Sequence, residues 1–451
     1  MTIRMQIRID LLLIVAASLT ACTQGDTTAY IGATVWDGTG GPPIPNAVIV
    51  VANGKIQNIG PAGTVSIPGD ASEMYLNGKW VIPGLVDAHT HAERWTLTRF
   101  VAYGVTSLRD VGGPLDSVMA LRGDVELGSI PGPRMYVAGA MLDASPATRS
   151  SAIEVPSAPE ARQAIDRLTL LGVSLAKIYT GIDRPLLEAI LDEASTLNLP
   201  VAAHLGKVDA VTAAELGVNS IEHLTGVVEA TARDPQRYFR EHDDFFAGWN
   251  STERAWASFD SVAMARTAAA MAQYGTTIVP TLVLHETWSR LTDQAYISRL
   301  DLSGVPDSVQ LAWDVPDLVR RAGITATDTR AFRRSRPYQD RFVRLYRRAG
   351  GTIAAGTDTP NQLLAPGASL HDELALLVRA GLEPVDALLA ATRDAAQLVR
   401  ADSIGTLTAG TVADFVILNA NPLADIANSR DIELVVLRGT LYSPSILMER
   451  D

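Results

Sequence analysis

Val81-Ile82-Pro83-Gly84-Leu85-Val86-Asp87-Ala88-His89-Thr90-His91 is where the chain changes rhythm. Upstream of it the residues read as short strands. Ala47-Val-Ile-Val-Val-Ala52 is strand-like, Asn53-Gly54 is a strong two-residue hairpin signal, and Lys55-Ile-Gln-Asn-Ile59 is the returning strand. Met74-Tyr-Leu76 and Lys79-Trp-Val-Ile82 continue the β character. Downstream, short apolar runs alternate with helical stretches. Counting residues 80–85 as the first, runs recur at 104–109, 134–138, 175–179, 201–204, 220–223, 277–283 and 352–356, eight in all. Helical patterns at 159–171 and 185–197 each open with a proline, which suits the first turn of a helix. This alternation predicts an α/β chain built on a (β/α)8 TIM barrel.

Further out, residues 371–400 read as two helices, and β character returns at 405–410, 414–418 and 434–439. The β segments of the two chain ends are expected to pair into one small β-sandwich domain, residues 29–82 with 402–447, leaving 83–401 to the barrel. Two stretches, about 224–275 and 285–350, are too long for simple barrel loops. They hold Trp249, Trp256, Trp288 and Trp313, four of the seven tryptophans. Such insertions serve either as lids over a barrel mouth or as additional packing helices.

Bulk properties narrow the function. Of the 451 residues 47% are hydrophobic, enough for a sizeable core, and the net charge of -12 argues against a nucleic-acid partner. The one basic cluster, residues 330–348, alternates with aromatic and aliphatic residues and reads as the solvated face of an amphipathic helix. A single cysteine, Cys22, excludes disulfides within the chain. It follows Arg4, Arg8 and an apolar run at 11–19 that is too short to span a membrane. Leu19-Thr-Ala-Cys22 resembles a bacterial lipoprotein signal. The expectation is a signal peptide at 1–21, a lipid anchor on Cys22, a tether at 22–28, and, with Thr23 rather than Asp following, an outer-membrane lipoprotein facing the periplasm.

Four of the seven histidines fall at predicted strand ends: His89, His91, His204 and His223. Active sites of TIM barrels gather at those ends, and imidazole is the commonest ligand for zinc-like metals. Residues two apart in a strand face one side, so His89 and His91 converge. Asp358 ends the eighth run, where a carboxylate can ligate a metal and act as a base. Lys177 lies inside an apolar run, costly for an ammonium unless modified or paired. Tyr179 faces the same side as Lys177. Substrate contacts are expected from Tyr179, from His285 just past the seventh run, and from Arg109, which could hold a substrate carboxylate or enter an internal ion pair. His371 opens a helix and suits a structural role, whereas His242, beside Asp243 and Asp244, is expected to be solvated.

Taken together, Val81-Ile-Pro-Gly-Leu-Val-Asp-Ala-His89-Thr-His91, Gly104-Val-Thr-Ser-Leu-Arg-Asp-Val-Gly112, His371-Asp-Glu-Leu374 and Gly405-Thr-Leu-Thr-Ala-Gly-Thr-Val-Ala-Asp414 resemble the amidohydrolase superfamily, in its prolidase-like and imidazolonepropionase-like branch. The resemblance implies two divalent metal ions, zinc foremost. His89, His91 and Asp358 would hold one, His204 and His223 the other, and a carboxylated Lys177 would bridge them. It further implies that a metal-bridging hydroxide cleaves an amide-type C–N bond in a dipeptide, an N-acyl amino acid or a related small amide, with Asp358 shuttling the proton. Two rivals stand beside it: a one-metal deaminase or cyclic amidase, and a lipid-anchored binding protein without catalysis. Self-association is left open.

Overall fold

A computed structural model describes residues 27–449; the expected signal peptide and lipid attachment at Cys22 lie outside them. The chain ends meet in one eight-stranded sheet. Strand Thr27–Val35 pairs antiparallel with Ile44–Ala52, which turns through Asn53 and Gly54, both at positive φ, into Lys55–Pro61. That is the backbone a tight hairpin demands. Trp80–Pro83 pairs parallel with Thr27–Val35 on one side and antiparallel with Phe415–Leu418 on the other. It therefore stitches the two ends together. The sheet folds back on itself: Ile56 N donates to Thr411 O at 2.9 Å and Ala413 N to Gly54 O at 2.9 Å. The fold encloses a core of its own, in which Tyr30 meets Phe415 edge-on at 5.0 Å. The sandwich is thus one continuous curled sheet.

This corrects the count of residues 80–85 as the first barrel strand. Trp80–Pro83 belongs to the end sheet, and the first barrel strand is Leu85–Thr90. Gly84 makes the handover. A Cβ there would lie 2.1 Å from the Thr106 hydroxyl, so only glycine lets the two units come this close.

The barrel strands are Leu85–Thr90, Val105–Asp110, Arg134–Val137, Ala176–Ile178, Val201–Ala203, Ser220–Glu222, Thr277–Val279 and Thr352–Ile353. Parallel pairing runs through the first three and through the last five. Ser174 N to Val137 O at 2.8 Å and Ala88 N to Ala355 O at 2.9 Å close the two seams. Each strand sends an apolar residue into a common core, among them Leu85, Leu108, Val137, Ile178, Ala203, Ile221, Ile278 and Ile353.

Two stretches differ from their sequence reading. The run 277–283 stops as a strand at Val279; Thr281 turns through φ +44° and Leu282–Trp288 is helical. Apolar runs do not themselves distinguish strand from helix, and here the buried Glu373 carboxylate tips the balance by accepting from Val283 N at 2.7 Å. Residues 371–400 form three helices rather than two: Ala368–Ala380, Pro384–Ala390 and Arg393–Leu398. The basic cluster lies on Ala326–Arg348, which buries Phe342 and Tyr346 in the barrel core and Phe332 in a separate cluster formed by the insertions. Among the described residues no helix is long and apolar enough to cross a membrane.

Candidate metal centre

The strand ends bring His89, His91, Lys177, His204, His223 and Asp358 to the floor of one cavity of about 840 Å³. Ligand atoms of His89, His223 and Asp358 lie within 4.8 Å of one another. Asp358 Oδ1 is 3.2 Å from His89 Nε2 and 3.0 Å from His91 Nε2. The His204 ring sits 5.1 Å from that of His223. His223 and Asp358 adopt φ of +56° and +62°, a left-handed conformation that costs about 1 kcal/mol for a residue with a Cβ. That turn swings each side chain off its strand and into the mouth.

An outer layer sets the ring orientations. His89 Nδ1 donates to Glu222 at 2.6 Å, His91 Nδ1 to the Gly112 carbonyl at 2.6 Å, and His223 Nδ1 lies 2.8 Å from Thr281 Oγ1. With Nδ1 so engaged, His89 and His91 turn their Nε2 atoms toward Asp358, the point a shared cation would occupy. Glu222 is itself gripped by Arg109 at 2.7 Å and by the Ser220 hydroxyl at 2.6 Å.

The electrostatics suit a cation. Burial, reinforced by Lys177, holds His204 well below the ordinary histidine range, and burial next to His89 does the same to His223. Both imidazoles are neutral donors. Burial would raise Asp358, but His223, His89 and His91 outweigh it and keep the carboxyl well below its usual range. His91 shows the opposite demand: burial lowers it, yet Asp358 and Asp110 raise it overall. These carboxylates call for positive charge at a point where a metal serves as well as a proton. Lys177 completes the fit. It is 1% exposed, its Nζ has no hydrogen-bond partner among the described residues, and burial brings its pKa down to about 8 despite the attraction of Glu222. A buried amine that is readily uncharged is what carboxylation requires. The donor set therefore fits metal binding.

The three expected substrate contacts separate. Tyr179 lines the cavity, its ring 4.8 Å from that of His204. Arg109 does not line it: the side chain donates to Ala88 O, Ser220 Oγ and Glu222, so it serves the internal ion pair rather than a substrate carboxylate. His285 is not among the cavity-lining residues either. Its Nδ1 is 2.8 Å from Glu253 and its Nε2 3.1 Å from the His223 carbonyl, and its ring stacks on Trp249 at 5.4 Å. It braces His223 from behind. His371 is structural as expected, joining Ser429 to the Tyr103 carbonyl. His242 is not solvated; it is buried against Glu229 at 2.8 Å, because the first insertion folds over it.

Some residues in or behind the cavity wall escaped sequence reasoning. Glu222 carries no spacing signal, and Arg149 lies in an irregular loop. The aromatic wall comes from both insertions: Phe245, Phe246 and Trp249 from the first, Trp288 from the second. Trp256 and Trp313 instead pack internally, Trp256 against Phe342 and Trp313 in the insertions' own cluster. The insertions are wall and packing at once.

With this geometry in view, comparisons with known proteins agree. A sequence model of the Amidohydrolase family matches residues 80–442. An uncharacterized protein of Mycobacterium tuberculosis is 24% identical over 407 residues, covering 84% of this chain and 89% of its own. A structure from Bifidobacterium longum, provisionally described as a prolidase, superposes with a TM-score of 0.69 at 25% identity over 94% of this chain and 98% of its own. A bottromycin amidohydrolase gives 0.73 at 23% identity over 94% and 89%. A Xaa-Pro dipeptidase with methionine in its active site gives 0.66 at 20% identity over 92% and 99%.

Proposed function

The chain belongs to the amidohydrolase family, a hydrolase acting on carbon–nitrogen bonds, and from that premise we propose that it cleaves the amide of a dipeptide, an N-acyl amino acid or a related small amide at a two-metal centre. His89, His91 and Asp358 would hold one divalent ion, His204 and His223 the second, and carboxylated Lys177 would bridge them, with zinc the first choice of metal. Two such cations supply a water acidified to hydroxide at neutral pH and a Lewis acid for the carbonyl. The observation that carries the reading is the orphaned Lys177 amine among neutral imidazoles and an ionised Asp358.

The chain's own residues do the rest. Asp358, anionic and facing the cavity, accepts the proton of the attacking water and returns it to the leaving nitrogen. The water's oxygen joins the acyl carbon, the C–N bond breaks, and one amine and one acid leave. Tyr179 offers its phenol to the substrate, and the aromatic wall keeps bulk water from the bond being cut.

The compact trio of His89, His223 and Asp358 favours a one-metal reading as a second possibility. Metal content separates the two. Protein lacking residues 1–21, produced with zinc and bicarbonate, is expected to hold about two metals per chain and to lose both metal and activity in Lys177→Ala. One metal with Lys177 dispensable favours a deaminase or cyclic amidase, and no metal with no turnover of an amide panel favours a binding protein. For the cell we propose an outer-membrane lipoprotein anchored through Cys22, which radiolabelled palmitate incorporation and its loss in Cys22→Ser would test.

A further inference from the structure

Three arginines line the cavity above the metal floor: Arg94, Arg149 and Arg321. Two are already paired, Arg94 with Asp124 and Arg321 with Asp317, the latter at 2.7 Å. Arg149 forms no ion pair among the described residues. Its guanidinium lies over the faces of Phe245 at 5.2 Å and Tyr179 at 5.8 Å, and it donates to the Tyr179 hydroxyl at 3.3 Å. Ring faces hold a cation flat without neutralising it. A planar guanidinium with donors to spare then matches one ligand class above others, a carboxylate taken bidentate.

The aromatic rings form one continuous wall. Phe245 packs 5.9 Å from His204 and 5.3 Å from Phe246, Trp249 lies 5.9 Å from His204 and 6.1 Å from His223, and Trp288 meets Trp249 at 6.2 Å and Phe246 at 6.3 Å. Arg149 thus flanks the wall at Phe245, and Trp249 carries the wall on past His204 and His223 to Trp288. A cavity of about 840 Å³ has room for far more than a minimal dipeptide.

We propose that Arg149 is a specificity-determining residue, and that the substrate is an amide bearing a free carboxylate, bound by Arg149 with the Tyr179 phenol, and an aromatic or similarly large flat apolar group laid against Trp249 and Trp288. The inference rests on the amide-hydrolase reading for its reaction but not for its binding geometry. An aromatic N-acyl amino acid is the simplest member of the class.

Two measurements test it. The first compares hippurate with hippurate methyl ester, following release of benzoate. The wild type should favour the acid in kcat/KM by about 10- to 100-fold, the range of a charge-assisted hydrogen-bonded pair. Arg149→Met should remove that preference while Arg149→Lys retains part of it and Arg94→Met, whose cation is already paired with Asp124, retains it all. Equal treatment of acid and ester by the wild type, or equal losses on both in Arg149→Met, overturns the proposal. The second measures binding of 3-benzoylpropionate, in which a methylene replaces the amide nitrogen, by titration calorimetry on the metal-loaded protein. Binding that weakens at least 10-fold in Arg149→Met supports the carboxylate site even where no amide is hydrolysed. Hydrolysis of uncharged amides with no binding of this probe overturns it while leaving the hydrolase reading intact.

Discussion

The floor and the rim of the cavity are built on opposite principles. On the floor, six side chains come from the ends of five barrel strands, all but His91 buried, each braced by a neighbour or closed in by its surroundings. At the rim, Phe245, Trp249 and Trp288 sit on helices of the insertions, and Arg149 lies exposed in a loop. Strand ends hold ligands to fixed positions because the barrel closes around them. Insertion helices rest on the barrel and meet the floor through only a few side chains, His285 and Trp249 among them. Reaction chemistry is therefore expected to depend on the floor, and choice of substrate on the rim.

The largest effect should come from Asp358→Asn, which keeps shape but abolishes proton transfer. A loss of about 10²- to 10⁴-fold in kcat is expected. A variant that keeps within a few-fold of wild-type kcat would remove Asp358 from the proton path and weaken the contrast.

Next is Glu222→Gln, which touches no substrate. It frees His89 Nδ1 from its carboxylate and leaves buried Arg109 short of a partner. Metal affinity should fall about 10- to 100-fold, the usual range for an outer-layer partner, read by chelator competition, with a lower melting temperature alongside. Unchanged affinity would mean the ring of His89 is held by packing alone.

Trp288→Ala sharpens the rim side. Its expected signature is a rise of about 10-fold in KM for aromatic acyl substrates, with kcat and metal content near wild type. A drop in kcat for every substrate would show that rim and floor are coupled, for instance through Trp249, which contacts both Trp288 and His285.

The smallest effect lies outside both regions. Burial and the nearby Arg430 press His371 down to about 3, against an ordinary value of 6.5. As pH falls below about 6.5 the unfolded chain takes up this proton and the folded chain does not. Stability from this group is therefore complete above pH 6.5 and drains away between pH 6.5 and about 3. His371→Gln should be less stable at pH 7.5, for want of the Ser429 and Tyr103 contacts, but should lose stability less steeply between pH 6.5 and 4. Parallel denaturation profiles for the two proteins would disprove the assignment.

Much of the floor was legible because its signals are local. His89 and His91 stand two apart on a strand, and His204, His223 and Asp358 each close an apolar run. Errors came where a local pattern has two solutions. Residues 80–85 alternate as well in the end sheet as in the barrel, and the pairing of Trp80–Pro83 with Phe415–Leu418 decides it. Residues 282–285 are as apolar as a strand, but the Glu373 carboxylate, distant in the chain, caps them as a helix. His242 looked solvated beside two aspartates until Glu229 was found against it.

Sequence alone determined the alternation of strands and helices, the end sheet's origin in both chain ends and the metal-binding candidates, since these follow from local patterning and from residue type at the ends of apolar runs. Tertiary structure alone decided that Glu222 orients His89, that Arg109 and His285 turn away from the cavity, and that Arg149 faces it unpaired. Those are relations between residues many positions apart, and their distances are set by barrel closure and by how the insertions pack, not by any spacing within the chain.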